Sequence, residues 1–105
     1  MPDPVTIDGS VLQAVAFPDT IQNVSYTDTA AASSAFGTNV TLIRLCATTD
    51  CYYLIGANPT ATTSNGSFLP AGVVEYVVVV AGEKVSAIRS ATSGALNVGE
   101  IVVGT

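Results

Sequence analysis

From Val40 to Val103 the chain reads as one β-strand after another, each ended within a few residues by a short Gly, Pro, Asn or Ser turn. Counted with the runs before Val40, about eight strands at spacings of roughly 8 to 12 residues restrict the chain to an all-β sandwich or jelly roll. The 105 residues suffice for one hydrophobic core, and no linker or internal repeat divides them. The expected organisation is an extended N-terminal arm over residues 1–10 followed by a single sandwich domain over 11–105.

Pro2 and Pro4 bar helix from the arm, and Asp8-Gly9-Ser10 marks a turn at its end. An arm of this kind either frays or adds a strand to the sheet edge of a neighbouring subunit. Val11 to Phe17 reads as the first strand, closed by Pro18-Asp19, and Ile21 to Tyr26 as the second. The small-residue stretch Ala30 to Ala35 is too short to nucleate a helix and is expected to be a loop or single turn.

Val40 to Ala47 and Cys51 to Gly56 read as a hairpin with Cys46 opposite Cys51. That register pairs Arg44 with Tyr53 and Leu42 with Ile55 on one face, and Leu45 with Tyr52 and Ile43 with Leu54 on the other, the second being the better core. Arg44 over Tyr53 would make a cation–aromatic contact. A Cys46–Cys51 disulfide would then fit, stabilising the fold by about 2 kcal/mol on the chain-entropy argument. In a reducing compartment the same residues are two half-buried free thiols.

Ala57 to Ser67, with Asn58-Pro59 and Asn65-Gly66 as turn signals, is the longest candidate recognition loop, and Asn58, Pro59 and Thr60 are its candidate contact residues. Pro2, Pro4 and Val5 are the corresponding candidates in the arm. Pro70-Ala71-Gly72 turns into a strand over Val73 to Val80, where Val77 to Val80 lacks polar alternation. An uninterrupted apolar strand is covered on both faces, either by the chain's own loops or by another subunit. Tyr76, Val77, Val78, Val79 and Val80 are therefore the candidate oligomer interface. Gly82-Glu83-Lys84 turns into Val85 to Ser90, and Ser93-Gly94 into Ala95 to Val103. In that last strand Leu96, Val98 and Glu100 share one face, while Asn97, Gly99 and Ile101 share the other.

The chain has no His and no Trp, and its only cations are Arg44, Lys84 and Arg89. Without His there is no base for a Ser-based triad, and no GxSxG elbow occurs. Two Cys without His do not complete a zinc site. Gly94 to Gly99 lacks the phosphate-loop and dinucleotide patterns. No enzyme and no cofactor is expected.

Eight scattered carboxylates set a net charge of -5, so neither nucleic acid nor an anionic membrane surface is an expected partner. Charged residues are only 10% of the chain, against about 25% in an ordinary domain. The surface is thus polar but uncharged, or partly covered by other subunits. The amino terminus lacks the basic start and apolar core of an export signal. The longest wholly aliphatic run, Val77 to Ala81, falls far short of the roughly 20 residues of a membrane-spanning helix. Synthesis and folding in a cytosol are the expectation.

Across Thr41 to Ile101 the succession ATTDCYYLIG, NPTATT, FLPAGVVEY, GEKVSAIR and SGALNVGEI resembles small β-rich structural proteins of tailed bacteriophages. The resemblance implies a virion protein, in particular a capsid decoration or cement protein, made in the host bacterial cytoplasm and placed on the capsid surface. It further implies a homotrimer joined through Val77 to Val80, with the arm and one loop face clamped onto the major capsid protein. A tail-fibre receptor-binding or carbohydrate-binding module, or a tail or connector component, are the alternatives it leaves open.

Overall fold

The structure is a computed structural model that describes residues 18–102. The arm over 1–10, with Pro2, Pro4 and Val5, and the strand expected over Val11 to Phe17 lie outside the described residues. Within them run eight strands: β1 Pro18–Tyr26, β2 Ala31–Ala32, β3 Leu42–Ala47, β4 Cys51–Gly56, β5 Ser67–Leu69, β6 Val74–Val78, β7 Lys84–Arg89 and β8 Gly94–Ile101. They form two four-stranded sheets, β1-β8-β3-β6 and β2-β7-β4-β5, in which neighbouring strands are antiparallel. The chain is all-β, as its turn spacing implies.

Pairing is nested, with β1 on β8, β2 on β7, β3 on β6 and β4 on β5. The β3–β8 and β4–β7 ladders then join these pairs into the two sheets. Only β4 and β5 are neighbours both in the chain and in a sheet. Every other connection between the eight strands crosses from one layer to the other.

The expected β3–β4 hairpin is therefore incorrect. Thr48 to Asp50 is a corner between layers, held by bonds to distant segments. The Thr48 amide donates to the Ala95 carbonyl at 2.9 Å, the Ser90 amide to the Asp50 carbonyl at 3.0 Å, and the Ala71 amide to Asp50 Oδ1 at 2.8 Å. A short polar turn reverses the chain in either case, so it does not distinguish a hairpin from a corner. Arg44 consequently lies opposite Tyr76 and Gly99, and Tyr53 opposite Ser67 and Ala87. The expected Arg44–Tyr53 contact is absent, as is the Leu45–Tyr52 register.

The core fills the space between the layers. Ile43, Leu45 and Ala47 enter it from β3, Cys51 from β4, Leu69 from β5, Val85 and Ala87 from β7, and Leu96 and Val98 from β8. Ile43 and Leu45 are core, as their pattern predicts. Their companions from β4 are Tyr53 and Ile55 rather than Tyr52 and Leu54.

Two further elements differ from expectation. β1 continues through Pro18 and Asp19, with a register shift between Pro18 and Thr20; a proline is tolerated there because β1 is a sheet edge. Ala31–Ala32 pairs with Ala87 and Ser86 as a two-residue strand instead of a loop. Ser33 extends that contact, its amide donating to the Val85 carbonyl at 2.8 Å while its Oγ accepts the Val85 amide at 3.0 Å.

Candidate interaction surface

The turn Pro70-Ala71-Gly72-Val73 delivers the chain into β6. Gly72 has φ 76° and the Val73 amide donates to the Pro70 carbonyl at 3.3 Å, the arrangement of a type II turn that needs glycine at its third position. The same device leaves β6: Gly82 has φ 89° and the Glu83 amide donates to the Val80 carbonyl at 3.1 Å. Glu83 Oε1 also accepts the Val80 amide at 2.9 Å.

Between these turns β6 is, among the described residues, the end strand of its sheet. Glu75 and Val77 face inward, in register with Leu45 and Ile43, while Val74, Tyr76 and Val78 face outward with Cys46, Arg44 and Leu42. Val79 is buried, whereas Val78 is 80% and Val80 65% exposed. Among the described residues the chain's own segments thus cover only one face: burial alternates from Val77 to Val80, and an all-valine run conceals the alternation. The five candidate interface residues are divided, with Val78 and Val80 at the surface, Val79 in the core, and Tyr76 and Val77 part-buried.

The other edges differ from β6 in length or in regularity at their start. β1 carries a proline and a register shift, β2 has two residues and β5 three. β6 has five residues, no proline and no outward charge. Natural sheets blunt their edges by shortness, irregularity or charge, and β6 uses none of these.

The Ala57-to-Ser67 loop is ordered and folds back over the outer side of its own sheet. The buried Ala61 amide donates to Ser86 Oγ at 2.9 Å. Thr62 and Asn65 then lock each other, the Thr62 amide donating to Asn65 Oδ1 at 2.7 Å and the Asn65 amide to Thr62 Oγ1 at 3.1 Å. Asn65 Nδ2 adds a bond to the Thr60 carbonyl at 3.2 Å. Gly66 lies so close to β4 that a Cβ there would stand 2.8 Å from the Tyr52 Cβ. Asn58 and Thr60 are exposed and Pro59 is half-buried. The loop therefore presents a set polar contour whose ordering cost is met on folding.

β-strand parity distributes the tyrosines. Tyr52 faces outward and stacks obliquely on Phe68, with centroids 5.3 Å apart, and Phe68 is 47% exposed. Tyr53 faces inward and donates to Glu75 Oε1 at 2.8 Å, joining β4 of one layer to β6 of the other. Its hydroxyl is pushed up to about 12, first by burial and then by the bond to and charge of Glu75.

At the end of the sandwich where β1 begins, Glu100 is buried on the inner row of β8. Its carboxylate accepts from Gln22 Nε2 at 2.7 Å and from the Gly37 amide at 3.0 Å. Gln22 Oε1 in turn accepts the Ser34 amide at 2.9 Å. These bonds fix the segment between β2 and β3 to β1 and β8, which is how a buried carboxylate is satisfied. Sequence parity placed Glu100 on one face with Leu96 and Val98 without saying which face is buried, and its partners, 63 and 78 positions away in the chain, carry no local signal.

Cys46 and Cys51 are free thiols. Cys46 lies on the outward row of β3 opposite Val74, and Cys51 is buried in the core from the other layer. The free-thiol alternative agrees with this arrangement, and the disulfide that the hairpin register would have allowed has no geometric basis once that register is gone. Burial pushes the Cys51 thiol up, which disfavours its thiolate.

Among the described residues no group of three or more His, Cys, Asp or Glu side chains is placed to hold a metal ion. No family model matches the chain, and neither the curated proteins nor the solved structures contain a match to it.

Proposed function

We propose that the protein is a structural component of a tailed-bacteriophage particle, a capsid decoration or cement protein that self-associates and docks on the shell of the major capsid protein. The observation that carries this reading is the unprotected, valine-lined β6 edge, which suits association between protein subunits. We read the nested strand order as a jelly roll, an architecture that serves in viral shells as well as in lectins. The sequence resemblance supplies the phage context.

In this reading the association is a homotrimer, built in the host bacterial cytoplasm and mounted on the capsid surface. Chain topology favours one end of the sandwich as the docking face. Pro18, Leu42, Val78 and Ile101 stand in one row across a sheet, and the Val80–Glu83 turn follows directly. Gly56 opposite Lys84 brings the start of the Ala57-to-Ser67 loop to the same end. The loop and the point from which the arm departs can thus contact one partner together. Such a protein does no chemistry: it binds the assembled shell and stabilises it by mass action, with repeated sites adding avidity.

The test is the number of copies per major capsid protein in purified particles, measured by quantitative mass spectrometry. A ratio near unity, or a simple fraction set by capsid symmetry, is expected. A few copies per particle would transfer the protein to the tail or connector, and absence would end the virion reading. The Tyr52–Phe68 pair favours one second reading, a carbohydrate-binding module with Phe68 as its stacking face. That reading requires sugar affinity that Phe68→Ala removes.

A further inference from the structure

We infer that β6 of one copy receives residues 11–17 of a second copy as an added strand, so that the subunits are joined head to tail by exchanged N-terminal segments. This deepens the self-association reading and rests on it.

The eight described strands complete the nested pairing by themselves, first with last and inward to β4 with β5. Val11-Leu12-Gln13-Ala14-Val15-Ala16-Phe17 has the composition of a strand but is not needed for that pairing. At the far edge of the same sheet, β6 offers an uncharged face with Val78 and Val80 exposed in the isolated chain. None of the described residues covers them.

The segment and the edge agree in chemistry. Residues 11–17 contain no charge and one polar side chain, Gln13, matching an edge whose outward row holds Val74 and Val78. An extended chain spans about 3.3 Å per residue, so the 17 residues before β1 reach well beyond the four-stranded sheet, whose strands stand about 4.8 Å apart. Their departure point is favourable too. Pro18 lies level with Val78 but on the opposite edge of the sheet, so copies set side by side bring the root of one segment to the β6 of the next. An interface between two different edges is heterologous and closes into a ring when the rotation between copies permits, which accommodates a trimer.

Two chains carrying Cys46→Ser test this, one also bearing Val78→Cys and the other a cysteine introduced in turn at each position from Val11 through Phe17. The chains are purified separately with tags of different size, mixed, and oxidised mildly. A covalent heterodimer from at least one position is expected, roughly doubling the 10.6 kDa chain mass on a non-reducing gel. With both cysteines in one chain, a link formed solely within that chain would overturn the inference, and so would absence of any link at all seven positions. Val15→Asp in an otherwise unaltered chain is expected to lower the mass in light scattering to that of a monomer. An oligomer that survives Val15→Asp overturns the inference. Capsid binding is scored separately: linked subunits without particle association would refute the decoration reading alone, and particle association without interchain links would refute the exchange alone.

Discussion

The Tyr53 hydroxyl donates across the interior to Glu75 at 2.8 Å, and its pKa is pushed from 10.0 to about 12. The unfolded chain releases this proton near 10.0 while the folded chain retains it. Between the two values the unfolded state binds fewer protons, so the contribution is present in full below 10.0 and is lost as pH rises toward 12. Tyr26 and Cys51 are also raised, chiefly by burial, and act in the same sense. Tyr53→Phe is expected to flatten, without abolishing, the alkaline loss of stability in urea melts across that interval. Curves that stay parallel would show that the bond contributes nothing to the pH dependence. Gly94 makes a different demand, for space. A Cβ there would stand 2.6 Å from Thr48 Oγ1 and closer still to Thr49 Oγ1. Thr49 Oγ1 is pinned between the Tyr26 hydroxyl at 2.9 Å and the Thr92 carbonyl at 2.8 Å. Gly94→Ala should therefore destabilise the protein by about 1–3 kcal/mol, the usual cost of overpacking, as measured by urea denaturation.

Among the elements, β6 gives one face to the fold and, in the proposed reading, the other to assembly. Its inward residues face the other layer, Val77 against the core and Glu75 bonded to Tyr53, and its outward valines contribute little to the isolated subunit because they remain in water. Val78→Asp should accordingly change subunit stability by no more than about 0.5 kcal/mol, the range for exposed sites, while dissociating the oligomer in light scattering. A folded Val78→Asp variant that keeps the mass of the parent would remove β6 from the interface. The strand runs themselves were legible from the chain: β4 matches its expected span, β3 and β6 fall within theirs, and β7 and β8 each begin one residue before theirs. Alternating apolar residues and Gly or Pro turns mark strands locally. Ala31–Ala32 was not legible as a strand, because two alanines have no periodicity and their pairing is supplied by β7, more than fifty residues later.

At the scale of the whole molecule, nesting makes the first and last strands partners, with Pro18 against Ile101. The contacts that close each sheet join distant parts of the chain. Folding dominated by such pairings is slow, on the order of milliseconds to seconds for sandwiches. Stopped-flow refolding should fall in that range, and a microsecond phase carrying the full amplitude would contradict the nested topology. Nesting also gathers the loop, the β6 exit turn and the start of β1 at one end, a grouping with no counterpart in sequence order.

The two rows of β3 and of β8 were readable before any fold was known, since parity is a property of the extended backbone and needs no partner. That parity put Ile43 and Leu45 on the better core face and Glu100 in one row with Leu96 and Val98, while the structure decided that this row is the buried one. The choice of partner was not readable. Thr48-Thr49-Asp50 reverses the chain equally well as a hairpin or as a corner, and the free energy that selects the corner comes from burying β3 against β8 and β4 against β7 together. The same global choice separates Cys46 from Cys51, turns Tyr53 inward to Glu75, and leaves β6 at an edge, because which strand lies outermost depends on all the others.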